Sequence, residues 1–140
     1  MPITLNHTIV HARDPRETAA YLIDLFALRP ALELPPFTIV QIGPTSLDFM
    51  QADGEIASQH FAFLVSEAEF DTVFEKVRSR GQDFWADPSR KQRGQINHWD
   101  DGRGVYFNDP NGHLLEAITK PYGANGCDAA HPHPLLNCGE

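Results

Sequence analysis

The stretches ITLNHTIVH (residues 3–11) and QHFAFLV (residues 59–65) open two segments that repeat one succession of signals. Each is a short strand-like run carrying a histidine, His7 in the first and His60 in the second, and each leads at once into a helix start. Asp14-Pro15-Arg16-Glu17 supplies an N-cap, a proline at the first helical position and an acid at the third, while Ser66-Glu67-Ala68-Glu69 has the form of a capping box. The first helix runs to about Leu28 and offers Leu22, Leu25 and Phe26 to a core; the second carries the stripe Phe70, Val73, Phe74, Val77 and stops at Gly81. Strands follow in both cases. PFTIVQIG and TSLDFMQ are joined by a Gly-Pro turn, and the second segment has short runs around Asp83–Ala86, Gln95–Trp99, Gly104–Asn108 and His113–Thr119. A strand–helix–strands unit written twice, at a spacing of roughly 53 residues from His7 to His60, predicts an α+β chain of two similar βαβββ modules. They span about residues 3–52 and 58–121, within one domain over 1–121.

A net charge of −8 and the lack of any Lys/Arg run argue against a nucleic-acid partner, which needs a basic surface for the phosphates. The N-terminal residues MPITLNHTIVHARD have neither the basic start nor the apolar stretch of a signal peptide, and no segment reaches membrane-spanning length. Cys127 and Cys138 both fall beyond Pro121, so the core is free of cysteine and a reducing, cytoplasmic setting is expected; their pairing with each other is left open. Residues 122–140, YGANGCDAAHPHPLLNCGE, lack any period and are expected to form a mobile tail. Cys127, His131, His133 and Cys138 match no zinc-finger spacing. The basic segment SRKQRGQ (89–95) is expected to be a solvated loop, its alternative being closure over an anionic substrate.

The chemistry centres on GRGVYFNDPNGHLLEAIT (102–119). Alternation along its final run puts Leu114, Glu116 and Ile118 on one strand face, and an ionised carboxylate on an apolar face requires a positive partner. His7, between Leu5 and Ile9, and His60, before Ala62 and Leu64, are set in the same way in the first strands of their modules. Two neutral imidazoles and a carboxylate form a facial set that binds a divalent metal and leaves positions open. Asp48 is the first-module counterpart of Glu116 and a candidate fourth ligand; His11 is expected in solvent, and His113, facing the other side of its strand, is read as structural.

With the doubled pattern, LNHTIV, QHFAF and YFNDPNGHLLE together resemble the vicinal oxygen chelate superfamily: glyoxalase I, extradiol dioxygenases, fosfomycin-modifying thiol transferases and bleomycin-binding resistance proteins. The resemblance implies cupped mixed sheets, metal ligation by His7, His60 and Glu116, and a small-molecule substrate chelated through adjacent oxygens. INHWDDGRGVYFNDPNGHLLE is further similar to the extradiol ring-cleavage signature. On that likeness His98 would be an acid/base residue near substrate, and Tyr106 a hydrogen-bond donor to an oxygen held at the metal. The expected function is therefore a metal-dependent enzyme, with a dioxygenase-type oxidoreductase using Fe(II) placed first. The alternatives are a glyoxalase-like lyase or isomerase with Ni(II), Zn(II) or Mn(II), and a metal-free antibiotic-binding protein. The resemblance also implies a homodimer.

Overall fold

A computed structural model describes residues 2–138; Met1, and Gly139 and Glu140 at the end of the expected tail, lie outside the described residues. The elements run β1 (His7–Ala12), α1 (Pro15–Phe26), β2 (Leu32–Leu34), β3 (Phe37–Ile42), β4 (Thr45–Gln51), β5 (His60–Leu64), α2 (Glu67–Ser79), β6 (Phe84–Trp85), β7 (Gly104–Asn108) and β8 (Leu114–Ile118). This is βαβββ twice. Each module makes a four-stranded mixed sheet, ordered β1-β4-β3-β2 and β5-β8-β7-β6. The first strand of each module pairs parallel with the last, and the remaining pairs are antiparallel. Two compact units result, one of residues up to Ser58 with Asp109–Gly112, the other of Gln59–Asn108 with the chain from His113 onward.

In the first unit Asp14 caps α1 through its carboxylate, which accepts from the backbone N–H groups of Arg16 and Glu17. Capping by Asp satisfies donors that the helix start otherwise leaves without partners. The buried stripe Thr18, Ala19, Leu22 and Leu25 lies against β3, β4 and β1. Those strands bury Val10, Ala12, Val40, Leu47 and Phe49. The opposite side of β1 is not core, contrary to the apolar setting expected for His7. Its neighbours Leu5 and Ile9 are 64% and 45% exposed, because the helix covers only the Val10–Ala12 side. Strand β2 was not foreseen. Its three residues lie between Pro30 and Pro35 and are all exposed, so no alternation announces them.

In the second unit the Ser66–Glu69 capping box is formed, with Ser66 Oγ accepting from Glu69 N and Glu69 accepting from Ser66 N. Phe70, Val73 and Val77 are buried on the stripe of α2, which packs on β8. Val105, Phe107, Leu115 and Ala117 fill the core-facing side of β7 and β8. Arg103, just before β7, ties the sheet to α2: its guanidinium lies 2.8 Å from both Glu67 and Asp71 and 4.4 Å from the centre of the Phe70 ring. A hydrogen bond from Thr119 first, and then the one from Arg103, hold the Glu67 carboxyl below its usual range.

Gln95–Trp99 is not a strand. Asn97 makes a single bridge to Gly104 and sends its side-chain N–H to Ala86 O at 2.8 Å, and the chain then turns through a 3-10 segment, Trp99–Asp101. Gly104 is required for this packing, since a Cβ there would lie 2.7 Å from Asn97 Oδ1. The basic loop has partners for its arginines. Arg90 donates to Asn108 Oδ1 at 2.8 Å and lies over Trp85, and Arg93 pairs with Asp83 at 2.7 Å. Residues after Pro121 are arranged on the 3-10 turn as a strap. Asp100 accepts from Gly123 N, Asp101 accepts from Ala130 N and His131 N, and Asp100 N donates to His131 O. Cys127 and Cys138 are joined by a disulfide, which removes them as metal ligands. No described helix is long and apolar enough to cross a membrane.

Candidate functional site

The site is centred on β8 of the second unit. Glu116 pairs in register with Ala62 of β5 on one side and Tyr106 of β7 on the other. Residues in register share a face, so β8 aims Glu116 to the same side as Tyr106 and as His60, two residues before Ala62. The carboxylate is wholly buried. Its Oε1 lies 3.1 Å from His60 Nε2 and accepts a hydrogen bond from the Tyr122 hydroxyl at 2.5 Å, while Oε2 has no hydrogen-bond partner.

The protons decide what this arrangement means. His60 Nδ1 is 2.9 Å from the carbonyl oxygen of Leu114, which can only accept, so Nδ1 carries the hydrogen. In the neutral imidazole Nε2 is then a bare lone pair, facing a carboxylate oxygen that also offers only lone pairs. Such a contact repels unless a proton or a cation supplies the positive charge. A backbone carbonyl on Nδ1 is also the usual support for a metal-ligating histidine, since it fixes the tautomer and the ring. Imidazole nitrogen with carboxylate oxygen suits Fe(II), Mn(II), Ni(II) or Zn(II). The unpartnered Oε2 and the facing lone pairs therefore fit a divalent ion.

Tyr106 completes the floor. It is 2% exposed and its ring stacks on His60, centroid to centroid 5.8 Å, with its hydroxyl 3.4 Å from that of Tyr122. Burial first, then the hydrogen bond to Tyr122 and the charge of Glu116, push the Tyr106 phenol far above its ordinary value, so it keeps its proton at neutral pH. Tyr122 is pushed up to about 12 by desolvation of its hydroxyl and the hydrogen bond to Glu116.

His60, Tyr106 and Glu116 are thus brought together. His7 belongs to the first unit, where it is exposed at the start of β1. Its Nδ1 lies 2.7 Å from Asn6 Oδ1, an acceptor, so it too leaves Nε2 as a lone pair. Asp48 is nearly buried and accepts from Ser46 Oγ at 2.8 Å. His98 is exposed at the head of the 3-10 turn, its ring 6.3 Å from that of His131; the next residue, Trp99, contacts Tyr106 edge-on at 6.1 Å. His113 is buried and accepts from Gln59 N through Nδ1. Among the described residues no group of three or more His, Cys, Asp or Glu side chains is gathered to hold a metal ion. Tyr122 was missed from sequence. It sits in an aperiodic Pro-Tyr-Gly turn, and nothing in that turn signals that its hydroxyl lies on a buried acid.

A doubled βαβββ fold with a histidine on the first strand of each module and an acid on the last defines a vicinal oxygen chelate protein. The chain belongs to the Glyoxalase/Bleomycin resistance protein/Dioxygenase superfamily, matched over residues 4–117. Among solved structures it is similar to Oxidase ChaP-H2, with 49% identity and a TM-score of 0.87, covering 90% of this chain and 100% of that one. It is also similar to Oxidase ChaP-H1, with 49% identity and a TM-score of 0.84, covering 87% and 99%. A shorter likeness is to metallothiol transferase FosB of Shouchella clausii (strain KSM-K16), 35% identical over 60 residues. That match spans 43% of this chain and 37% of the relative's length.

Proposed function

We propose that the protein is a metal-dependent vicinal oxygen chelate enzyme, an oxidoreductase of dioxygenase type, acting on a small molecule with two adjacent oxygens. The observation that carries this reading is His60 Nε2 at 3.1 Å from Oε1 of the buried Glu116, with Nδ1 on the Leu114 carbonyl and Oε2 without a hydrogen-bond partner. His60 and Glu116 would hold the ion, with His7 as the third ligand, supplied by the same chain or by a second copy. Fe(II) is the favoured ion. When bound, it supplies Lewis acidity toward the paired oxygens and access to dioxygen chemistry.

The chain's own residues then have separate tasks. Leu114 O orients His60 through Nδ1, and the carboxylate between β5 and β7 is wholly buried. Tyr106, protonated at neutral pH, offers a hydroxyl donor beside the ligands. His98 is proposed as a proton carrier, a task an imidazole suits near pH 7. The likeness at 49% identity to proteins described as oxidases supports the oxidoreductase branch. The glyoxalase branch would need a second carboxylate as base, and Asp48 already accepts the Ser46 hydroxyl. Anaerobic reconstitution with Fe(II), Mn(II), Ni(II) and Zn(II), followed by oxygen-uptake assays on a catechol panel, tests the proposal. Expected is uptake with Fe(II) that is lost in His60→Ala. Turnover of hemithioacetals with Ni(II) or Zn(II), and no oxygen uptake with any ion, would overturn it in favour of the lyase branch.

A further inference from the structure

We propose that Tyr122, carried by the C-terminal strap, is the positioning residue for the metal-binding carboxylate. It holds Oε1 of Glu116 so that Oε2 stays open as a ligand atom. The inference rests on reading His60 and Glu116 as an ion site and adds a residue that lies beyond the matched family region, which ends at residue 117.

Three observations carry it. First, Glu116 is wholly buried, and the Tyr122 hydroxyl reaches it at 2.5 Å, closer than His60 Nε2 at 3.1 Å. Because a carboxylate only accepts, the phenol must donate, and a charge-assisted O–H···O⁻ bond of this length is strong and directional. Second, Tyr122 is held from behind. Its ring packs 4.3 Å from that of His133, which is 5% exposed and in turn packs edge-on to Trp99 at 4.9 Å. Third, the strap is anchored on both sides of that contact. Gly123 N and Asn125 Nδ2 donate to Asp100, and Ala130 N and His131 N donate to Asp101. The Cys127–Cys138 disulfide then closes the loop that carries His133. Asp100 and Asp101 both have positive φ, 59° and 61°, a conformation that costs a non-glycine residue free energy and persists only when surroundings enforce it. A loose surface tail would need none of this.

An outer partner on a ligating carboxylate fixes its orientation and tunes its basicity, and removal of such partners typically weakens metal binding by about 10–100-fold. The test uses the full chain, handled anaerobically without chelator. Mn(II) affinity is measured by calorimetry, and the electronic spectrum of the Co(II) form reports ligand geometry. Wild type is compared with Tyr122→Phe and with Leu135→Ala, which alters an exposed strap residue. Thermal unfolding of the metal-free proteins checks that all three fold. Expected for Tyr122→Phe is an affinity loss of about tenfold or more and a shifted Co(II) band, with Leu135→Ala unchanged in both. A Tyr122→Phe protein that binds Mn(II) as tightly as wild type, with the same Co(II) spectrum, overturns the inference and leaves the ion site standing. Wild type that takes up neither ion overturns the ion site itself.

Discussion

Glu116 is a buried acid whose two strand neighbours across the sheet, Ala62 and Tyr106, bring it no positive charge. On the proposed ion site its tension with His60 is greatest without the ion, and that gives an expectation for Glu116→Gln. An amide nitrogen in the place of Oε1 can donate to His60 Nε2 but can no longer accept from the Tyr122 hydroxyl, so the facing lone pairs disappear at the cost of that hydrogen bond. Metal-free Glu116→Gln should therefore unfold within about 1 kcal/mol of wild type, although a buried acid has been altered, while its Mn(II) affinity falls about 100-fold or more. Calorimetric unfolding and metal titration check both halves. A much larger loss of stability would mean that the carboxylate is well partnered without an ion. Alternation along HLLEAIT made this residue legible in the sequence, because a carboxylate between Leu114 and Ile118 contradicts an apolar face. Tyr122 was not legible. Its role comes from the path of a strap fixed by hydrogen bonds to Asp100 and Asp101, and no local pattern encodes that path.

At the scale of elements, the join between α2 and the sheet depends on Arg103, with Glu67, Asp71 and the Phe70 ring all on one guanidinium. Arg103→Ala should lower stability at pH 7 by about 1 kcal/mol, the sum of two solvent-screened ion pairs and a cation–π contact. The sign of its pH dependence follows from Glu67. A carboxyl whose folded pKa lies below its unfolded value contributes stability above that unfolded value, and the contribution is lost as pH falls through the folded one. The gap between wild type and variant should therefore narrow on acidification from pH 5 toward about pH 3, as denaturant unfolding across that range would measure. A gap that stays constant would assign the effect to the Phe70 contact alone. Both helices were readable because their caps are chemical: Asp14-Pro15 and the Ser66–Glu69 box start α1 and α2 where expected. Strand β2 and the Gln95–Trp99 segment were not. One is three exposed residues, and the other is organised by a contact outside its own run, the Asn97 side chain donating to Ala86 O.

For the whole molecule, the doubled βαβββ plan was written plainly in the repeat, since each module carries its own strand, cap and stripe. The reaction was not, because members of one fold differ in loops and metal rather than in strand pattern. Assembly is an expectation from surface chemistry. Leu5, Ile9, Leu32, Leu34 and Leu64 are all more than 40% exposed, apolar area that a second copy would cover. Sedimentation should find a dimer, and Ile9→Asp should shift it toward monomer. A monomer at micromolar concentration in wild type would remove that expectation. The decisive measurement is equilibrium titration of chelator-free protein with Mn(II) under anaerobic conditions, on wild type and on His7→Ala, His60→Ala and Glu116→Ala. Saturable uptake of one ion per chain, abolished by the His60 and Glu116 changes and weakened by the His7 change, is the expected result. Uptake that survives loss of His60 or Glu116, or no uptake in wild type, would contradict the assignment of these residues to a metal.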